Sequence, residues 1–350
     1  MSESASVHGI VIAGTYPAGR SALDALVPRP LLPVAQRPLI TYALRWMQTG
    51  GVLHATICAN SSARSIRTRL VGETPGMGLD YLEDWSPRGA AGCVRDAGAK
   101  LEARSFVVAD GTAVPVVDAA ELIESHRTAG AVLTVVVGAD ATGRLCPSGV
   151  YVFDRRAFDY IPADGFQDIK ERLIPRLYEA GEHVVTHVAR GVAPRVLNTD
   201  TYLALDQWAV ERAARCPDVA RGFRACGEAV VHDSAWVDPS ARLLGPMLIG
   251  PGVSVQRGAT LVGPLSIGPG SSVGKGAVVS RSVVWSRCVV GDEALVDRCM
   301  LADGARVEPR RPVFAAVKTD DSRRRGGRRP GRALWEPLVA VLRPVSPDQL

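Results

Sequence analysis

Few residues in this chain have types and spacings that could do chemistry, and most of them stand where an apolar run gives way to a turn. Gly9 to Ile12 is a short apolar run that opens into Ala13 and Gly14, with Gly19 and Arg20 close behind. A glycine turn after a buried strand presents backbone N–H groups, and an arginine beside it suits a phosphate. A plain strand-to-helix turn accounts for the same residues. A second apolar run, Phe106 to Ala109, ends on Asp110, and Thr112 lies two positions further on. Residues two apart in an extended chain face one side, so Asp110 and Thr112 form a candidate pair that Gly111 could uncouple. The seven cysteines are odd in number and include no C-x-x-C pair. They fit reduced thiols rather than disulfides or a zinc site.

The elements that must position these groups fall into two sets. Strands are expected at Gly9–Ile12, 54–60, Ser105–Asp110, Ala131–Val137, Gly149–Phe153 and His183–Ala189. Helices are expected at Leu39–Met47, 62–71, Ala119–Gly130, Asp168–Ala180 and Thr201–Arg215. Such alternation predicts an α/β domain with a Rossmann-like, mainly parallel sheet over residues 1–226. Beyond it the pattern changes. Val231, Val237, Leu243, Ile249, Val255, Leu261, Ile267, Val273 and Val279 recur at every sixth position, and residues 243–260 match residues 261–278 at 11 positions. No helix has a period of six. Three glycine-cornered hexads make one coil of a parallel β-helix, expected over residues 227–310.

Residues 311–350 read as a basic linker and a short helix-like tail. Six arginines fall between Arg323 and Arg332, and without them the net charge of +5 is close to neutral. A nucleic-acid-binding surface is therefore not expected. The arginines and the apolar residues after them suit contact with an anionic membrane, although Pro337 interrupts any continuous helix. There is no run of ~18 apolar residues, and the opening MSESASVH lacks the pattern of a secretory signal, so a cytoplasmic protein is expected.

Taken in order, the turn at Gly14, PRPLLPVAQRPLI, RGAAGCV, FVVADGT, SGVYVF, DIKERLIPRLYEAGE and the hexad array resemble one family. They look like the sugar-1-phosphate nucleotidyltransferases, or NDP-sugar pyrophosphorylases, with a C-terminal left-handed β-helix of hexapeptide repeats. The resemblance spans residues 8 to 310. It implies an enzyme that joins a nucleoside triphosphate to a sugar 1-phosphate and releases pyrophosphate, with magnesium held by two aspartates. It assigns Ala13, Gly14, Gly89, Ala90 and Gly92 to the nucleotide, Gly149 to the sugar, and Arg20 and Arg29 to phosphate. Arg29 replaces the usual lysine, and Tyr16 stands where the glycine loop has its second glycine.

The metal positions depart furthest from the family. The register set by Phe106 and Asp118 puts Thr112 at the first aspartate, and counting back from Tyr202 puts Arg195 at the second. Losing one charge-stabilising group typically costs ~3–4 kcal/mol of transition-state stabilisation. The expectation is a catalytically degenerate member that binds a nucleotide or NDP-sugar in a regulatory or scaffolding role, assembled as a homo- or hetero-oligomer through its β-helix. The alternative is an active pyrophosphorylase, with magnesium shifted onto Asp110 or with Arg195 supplying the positive charge itself. A hexapeptide acyltransferase is disfavoured, because His232 is the single histidine between Val231 and Val307.

Overall fold

The computed structural model describes residues 7–14, 22–60, 62–83, 88–140, 142–191, 193–215 and 222–320. Arg20 and the arginine-rich tail lie outside the described residues. In chain order the first part contains β1 (Val7–Ile12), β2 (Pro33–Val34), β3 (Arg37–Pro38), α1 (Ile40–Thr49), β4 (His54–Ala59), α2 (Ala63–Arg69), β5 (Gly78–Glu83) and α3 (Gly89–Gly98). β6 (Ser105–Asp110), α4 (Ala119–Ala129), β7 (Leu133–Ala139), β8 (Leu145–Asp154), α5 (Ile174–Glu179), β9 (Val184–Ala189) and α6 (Thr199–Arg215) follow.

Seven of these strands form one sheet in the order β5-β4-β1-β6-β8-β7-β9. The mainly parallel sheet expected from the alternation is present, and β8 alone runs against its neighbours β6 and β7. The central strands are continuous apolar runs because both faces are covered. One face packs Val11, Ile57 and Val107 under α1, α2 and α4. The other packs Ile10, Val108 and Phe153 under α3 and α5.

Helix boundaries follow local chemistry. Asp118 caps α4 by accepting the Glu121 N–H at 2.8 Å, and Gly130 ends it with φ 59°. The stretch read as one helix from Asp168 begins instead with a wider π turn, Ile169–Leu173. Pro175, which has no N–H to donate, lies just beyond that turn. RGAAGCV, whose Gly89, Ala90 and Gly92 the resemblance assigns to the nucleotide, is the start of α3, and β5 lies where no strand is expected. Glycines disfavour a helix in isolation, but here they let α3 lie close against the ring of Phe158 and the backbone of Gln167.

The second part is a stack of parallel coils with three sheets. Their registers join Val231, Ile249 and Ile267 in one sheet, Val237, Val255 and Val273 in the next, and Leu243, Leu261 and Val279 in the third. Every hexad residue therefore meets its counterpart one coil away, and together they line a single interior core. After Val279 each coil is one residue shorter, since Ile267 pairs with Val284, Val273 with Val290 and Val279 with Val296. The residue is lost at a corner, where Arg281 at φ 45° replaces the pair Gly263–Pro264 of the coil before. The stacked strands continue to Val317–Lys318. No helix among the described residues is long and apolar enough to cross a membrane.

The two parts share a core. Leu32, Val34, Leu39, Tyr202 and Leu205 pack with Val230, Leu248, Val283, Trp285 and Met300 of one coil sheet. Three polar groups fix the register of this joint. The Trp285 indole N–H donates to the Tyr202 hydroxyl at 2.8 Å, and that hydroxyl donates to the Pro33 carbonyl. Gln36 donates to the Leu248 and Ile267 carbonyls at 3.0 and 2.8 Å. Asp206, 1% exposed, accepts the Ala35 N–H at 2.7 Å and the Ser266 hydroxyl at 2.8 Å. The β2–β3 hairpin turns on Ala35 and Gln36 with φ of 43° and 65°, a conformation usually left to Asn-Gly. Gln36 is held by bonds that cross the joint, and Ala35 by Asp206 of α6, which itself accepts from Ser266 across it.

Burial pushes the Asp206 carboxyl up to about 7, against the pull of its two donors. A raised carboxyl stabilises the fold while it keeps its proton, so its contribution falls as pH rises from the unfolded value toward about 7. Asp206→Asn retains the acceptor for Ala35 without the ionisation. Relative to wild type, the variant is expected to gain about 2–3 kcal/mol of stability between pH 5 and pH 8. Buried His8 and His126 titrate alike in both proteins and cancel from the difference. Denaturant unfolding at the two pH values measures it, and a difference independent of pH would show that Asp206 does not titrate in this range.

Candidate functional site

The sheet brings the carboxyl ends of β1 and β6 side by side, with Ile12 opposite Asp110. Beyond β1, the Ala13 N–H donates to the Cys58 carbonyl at 2.8 Å, while among the described residues a Cβ at Gly14 would meet only the Asn60 backbone. Beyond β6, the Gly111 N–H donates to the Ile12 carbonyl at 2.9 Å and ends the strand. Asp110 then caps the turn, accepting the Thr112 N–H at 2.9 Å and the Thr112 hydroxyl at 2.7 Å. Asp110 and Thr112 are thus together, but through a side-chain-capped turn rather than through the strand alternation expected from their spacing.

Arg195 reaches the same place from 83 residues away in sequence terms, at the other end of the domain. The segment before α6 lies along the residues after β6: Val114 donates to the Pro194 carbonyl, Val196 donates to the Thr112 carbonyl, and Ala113 bridges Arg195. Asn198 and Thr201 cap each other's backbone at the start of α6, which anchors this segment. The Arg195 Nη2 lies 3.2 Å from the Asp110 carboxylate and donates to the Ser148 carbonyl at 3.3 Å. Gly149, at φ 80°, leaves room for it, because a Cβ there would collide with the guanidinium and approach the Asp110 Cβ to 3.0 Å. Both members of the pair are about one-third exposed. Solvent screening leaves such a pair worth at most ~1 kcal/mol, so its importance lies in what it occupies.

These residues do not suit the magnesium that the resemblance implies. Mg²⁺ takes oxygen ligands, usually including carboxylates, in strict octahedral geometry. A guanidinium has no lone pair to offer. One oxygen of Asp110 is already engaged by Thr112 and the other by Arg195.

The segment that the resemblance assigns to the nucleotide, Gly89 to Gly92, is the first turn of α3. The N–H groups of Ala91 and Gly92 at the start of α3 both point to the Gln167 carbonyl, at 2.9 and 3.3 Å, and the Gln167 N–H donates to the Arg88 carbonyl at 2.7 Å. Gly89 is buried at φ 74° against the Gln167 backbone, and Ala90 is half-buried beside it. The donors of this turn are therefore spent inside the protein. Arg29 is likewise engaged, in a two-pronged pair with Asp24 at 2.6 and 2.9 Å. Any phosphate would have to compete with that carboxylate for it.

Two further residues connect these groups. Tyr151 lies two positions after Gly149 and is buried; burial pushes its phenol up to about 12, with Arg195 opposing and Asp168 and Asp110 adding to the shift. Asp168 follows Gln167 and caps the π turn through the N–H groups of Lys170 and Glu171 at 2.7 and 2.9 Å. The D-x-x-E spacing of Asp168 and Glu171 was a visible capping signal, and the strand period places Tyr151 on the side of Gly149. Neither was named as a site residue from sequence.

No family model matches the chain. It is 25% identical over 277 residues to the mannose-1-phosphate guanylyltransferase of Mycobacterium tuberculosis, an alignment covering 71% of this chain and 76% of that protein. It is 23% identical over 128 residues to the D-glycero-alpha-D-manno-heptose 1-phosphate guanylyltransferase of Aneurinibacillus thermoaerophilus, covering 37% of this chain and 55% of that protein. The chain is thus similar in sequence to two sugar-1-phosphate guanylyltransferases, and it folds as an α/β domain with a mainly parallel sheet followed by a stack of parallel coils consistent with a β-helix.

Proposed function

We propose that this protein binds a guanosine nucleotide or GDP-sugar in nucleotide-sugar metabolism and catalyses little, serving as a regulatory or scaffolding member of its family. The observation that supports this reading is the Arg195–Asp110 pair at 3.2 Å. Phosphoryl transfer asks the protein to neutralise charge that develops on phosphate oxygens. A guanidinium can hold a phosphate through charge-assisted hydrogen bonds, but here its charge is partly cancelled by Asp110. Binding is thereby retained at a site poorly arranged for turnover. The guanine preference comes from the names of both relatives. Assembly through the coil stack, as a homo- or hetero-oligomer, is the companion role, and the arginine-rich tail is available for an anionic membrane. That Cys146, Cys226, Cys288 and Cys299 form no disulfide among the described residues fits a reducing setting such as the cytoplasm.

Pyrophosphate release from GTP and mannose 1-phosphate is expected to run at least ~10⁴-fold below a typical turnover of ~10 s⁻¹. GDP-mannose is expected to raise the melting temperature equally with and without magnesium. Brisk, magnesium-dependent release would overturn the reading in favour of an active enzyme.

Thr112→Asp combined with Arg195→Asp restores two carboxylates beside Asp110. The double variant is expected to bind Mg²⁺, seen as a magnesium-dependent rise in melting temperature of several degrees that wild type lacks. A melting curve as indifferent to magnesium as that of wild type would remove the assignment of these two positions.

A further inference from the structure

The far end of β6 from Asp110 carries a second concentration of charge. Ser105 opens that strand and pairs with Asp154 at the close of β8, about 17 Å along the strand from the candidate site. A cleft of about 560 Å³ opens there, between the end of α3 and the turn Arg155–Tyr160. It shares no lining residue with the nucleotide, sugar or metal positions discussed above.

Four arginines line it, and their acids are few. Arg104 and Arg156 share Asp154, at 3.7 and 3.0 Å. Arg95 meets Asp96 at 3.5 Å, but Arg88 already holds that carboxylate at 2.8 Å. Arg155 has no ion pair among the described residues. Its Nε donates to the Ala103 carbonyl at 3.0 Å, its guanidinium lies 5.7 Å from the centre of the Phe106 ring, and its Nη2 is buried without a hydrogen-bond partner. Positive charge exceeds negative here even with Asp159 of the lining counted.

The layout suits a chain segment better than a small anion. A small-molecule pocket is mostly apolar and converges a few polar groups on its ligand. Here the Arg104 and Arg156 side chains are 74% and 52% exposed, so their charge faces solvent beside the cleft. Phe158, backed by Phe106 at 4.9 Å between ring centres, and Ala99 add apolar surface. Every cation in the lining is an arginine. Arginine beside an aromatic ring, without lysine, is the composition that marks protein interfaces and their strongest contacts.

We propose that this cleft docks an acidic segment of a partner protein. Carboxylates of the segment pair with Arg95 and Arg104, whose present acids are shared or distant, and an apolar side chain covers Phe158. The unpaired charge of Arg155 adds to the attraction. Because the cleft lies at the opposite edge of the sheet, the partner is held without covering the candidate site.

Fluorescence anisotropy of the full chain with a labelled peptide of glutamate, aspartate and leucine tests the proposal. Saturable binding is expected, and none of the counterpart with lysine in place of the acids. Arg95→Ala combined with Arg104→Ala should weaken it at least about tenfold. Ala99→Glu, at an exposed position of the lining, should do the same while keeping every arginine. Serine in place of the six arginines between Arg323 and Arg332 should leave the affinity unchanged. Absence of saturable binding overturns the proposal. So does binding lost with the tail arginines and kept in both cleft variants, which would assign the peptide to the tail. Displacement by inorganic phosphate beyond that caused by chloride of equal ionic strength would make the cleft a small-anion site and overturn it as well. None of these readouts involves a nucleotide or turnover, so the proposal can fail without affecting the functional reading.

Discussion

A positive charge fixed between strand ends sets the limits of everything else at this site. The Arg195 guanidinium rests against Asp110 and the Ser148 carbonyl, in space that exists because Gly149 has no side chain. The residues after β6 and before α6 must run side by side for this to happen, and their backbone bonds hold them there. The strand ends, the capped turn at Thr112 and the start of α6 are thus one unit. What they surround is an arginine with a carboxylate, not a pair of carboxylates. A polyanion meets a very different field in the two cases, because a divalent cation adds two charges where this pair adds almost none.

Around that centre the protein spends its polar groups internally. The N–H groups at the start of α3 go to Gln167, Arg29 goes to Asp24, and Asp168 caps the turn behind Tyr151. Such satisfied groups rigidify a pocket and lower the cost of holding it open. They also leave fewer donors free for a reacting phosphate. The coil stack contrasts with this, since its interior is aliphatic and its order is maintained by registers that repeat from coil to coil.

Much of this was legible in the chain. The period of six identified the coils because each aliphatic residue has the same job on every turn, and the buried strands were visible as continuous apolar runs. The strict period of six ends at Val279 because the corner at Arg281 drops a residue, although the coils, expected to residue 310, continue to Lys318. α3 was hidden by its glycines, which are poor helix formers and are tolerated through close packing with partners distant in sequence. At the site, Thr112 and Arg195 could be singled out by counting, but the meeting of their segments could not. It depends on Ala113 bridging Arg195, a contact that no local pattern encodes. The joint was invisible for the same reason: Asp206 looks like an ordinary polar residue of an amphipathic helix until Ser266 and Ala35 are folded onto it.

The turn at Ala35 and Gln36 bears on how such a protein can evolve. Two non-glycine residues hold left-handed conformations there, one by a carboxylate of α6 and the other by carbonyls of the coil stack. Neither half of the chain can therefore be exchanged by recombination for that of a distant relative without leaving a strained hairpin and a buried acid lacking a donor. Substitutions at one side of the seam therefore meet residues more than 200 positions away.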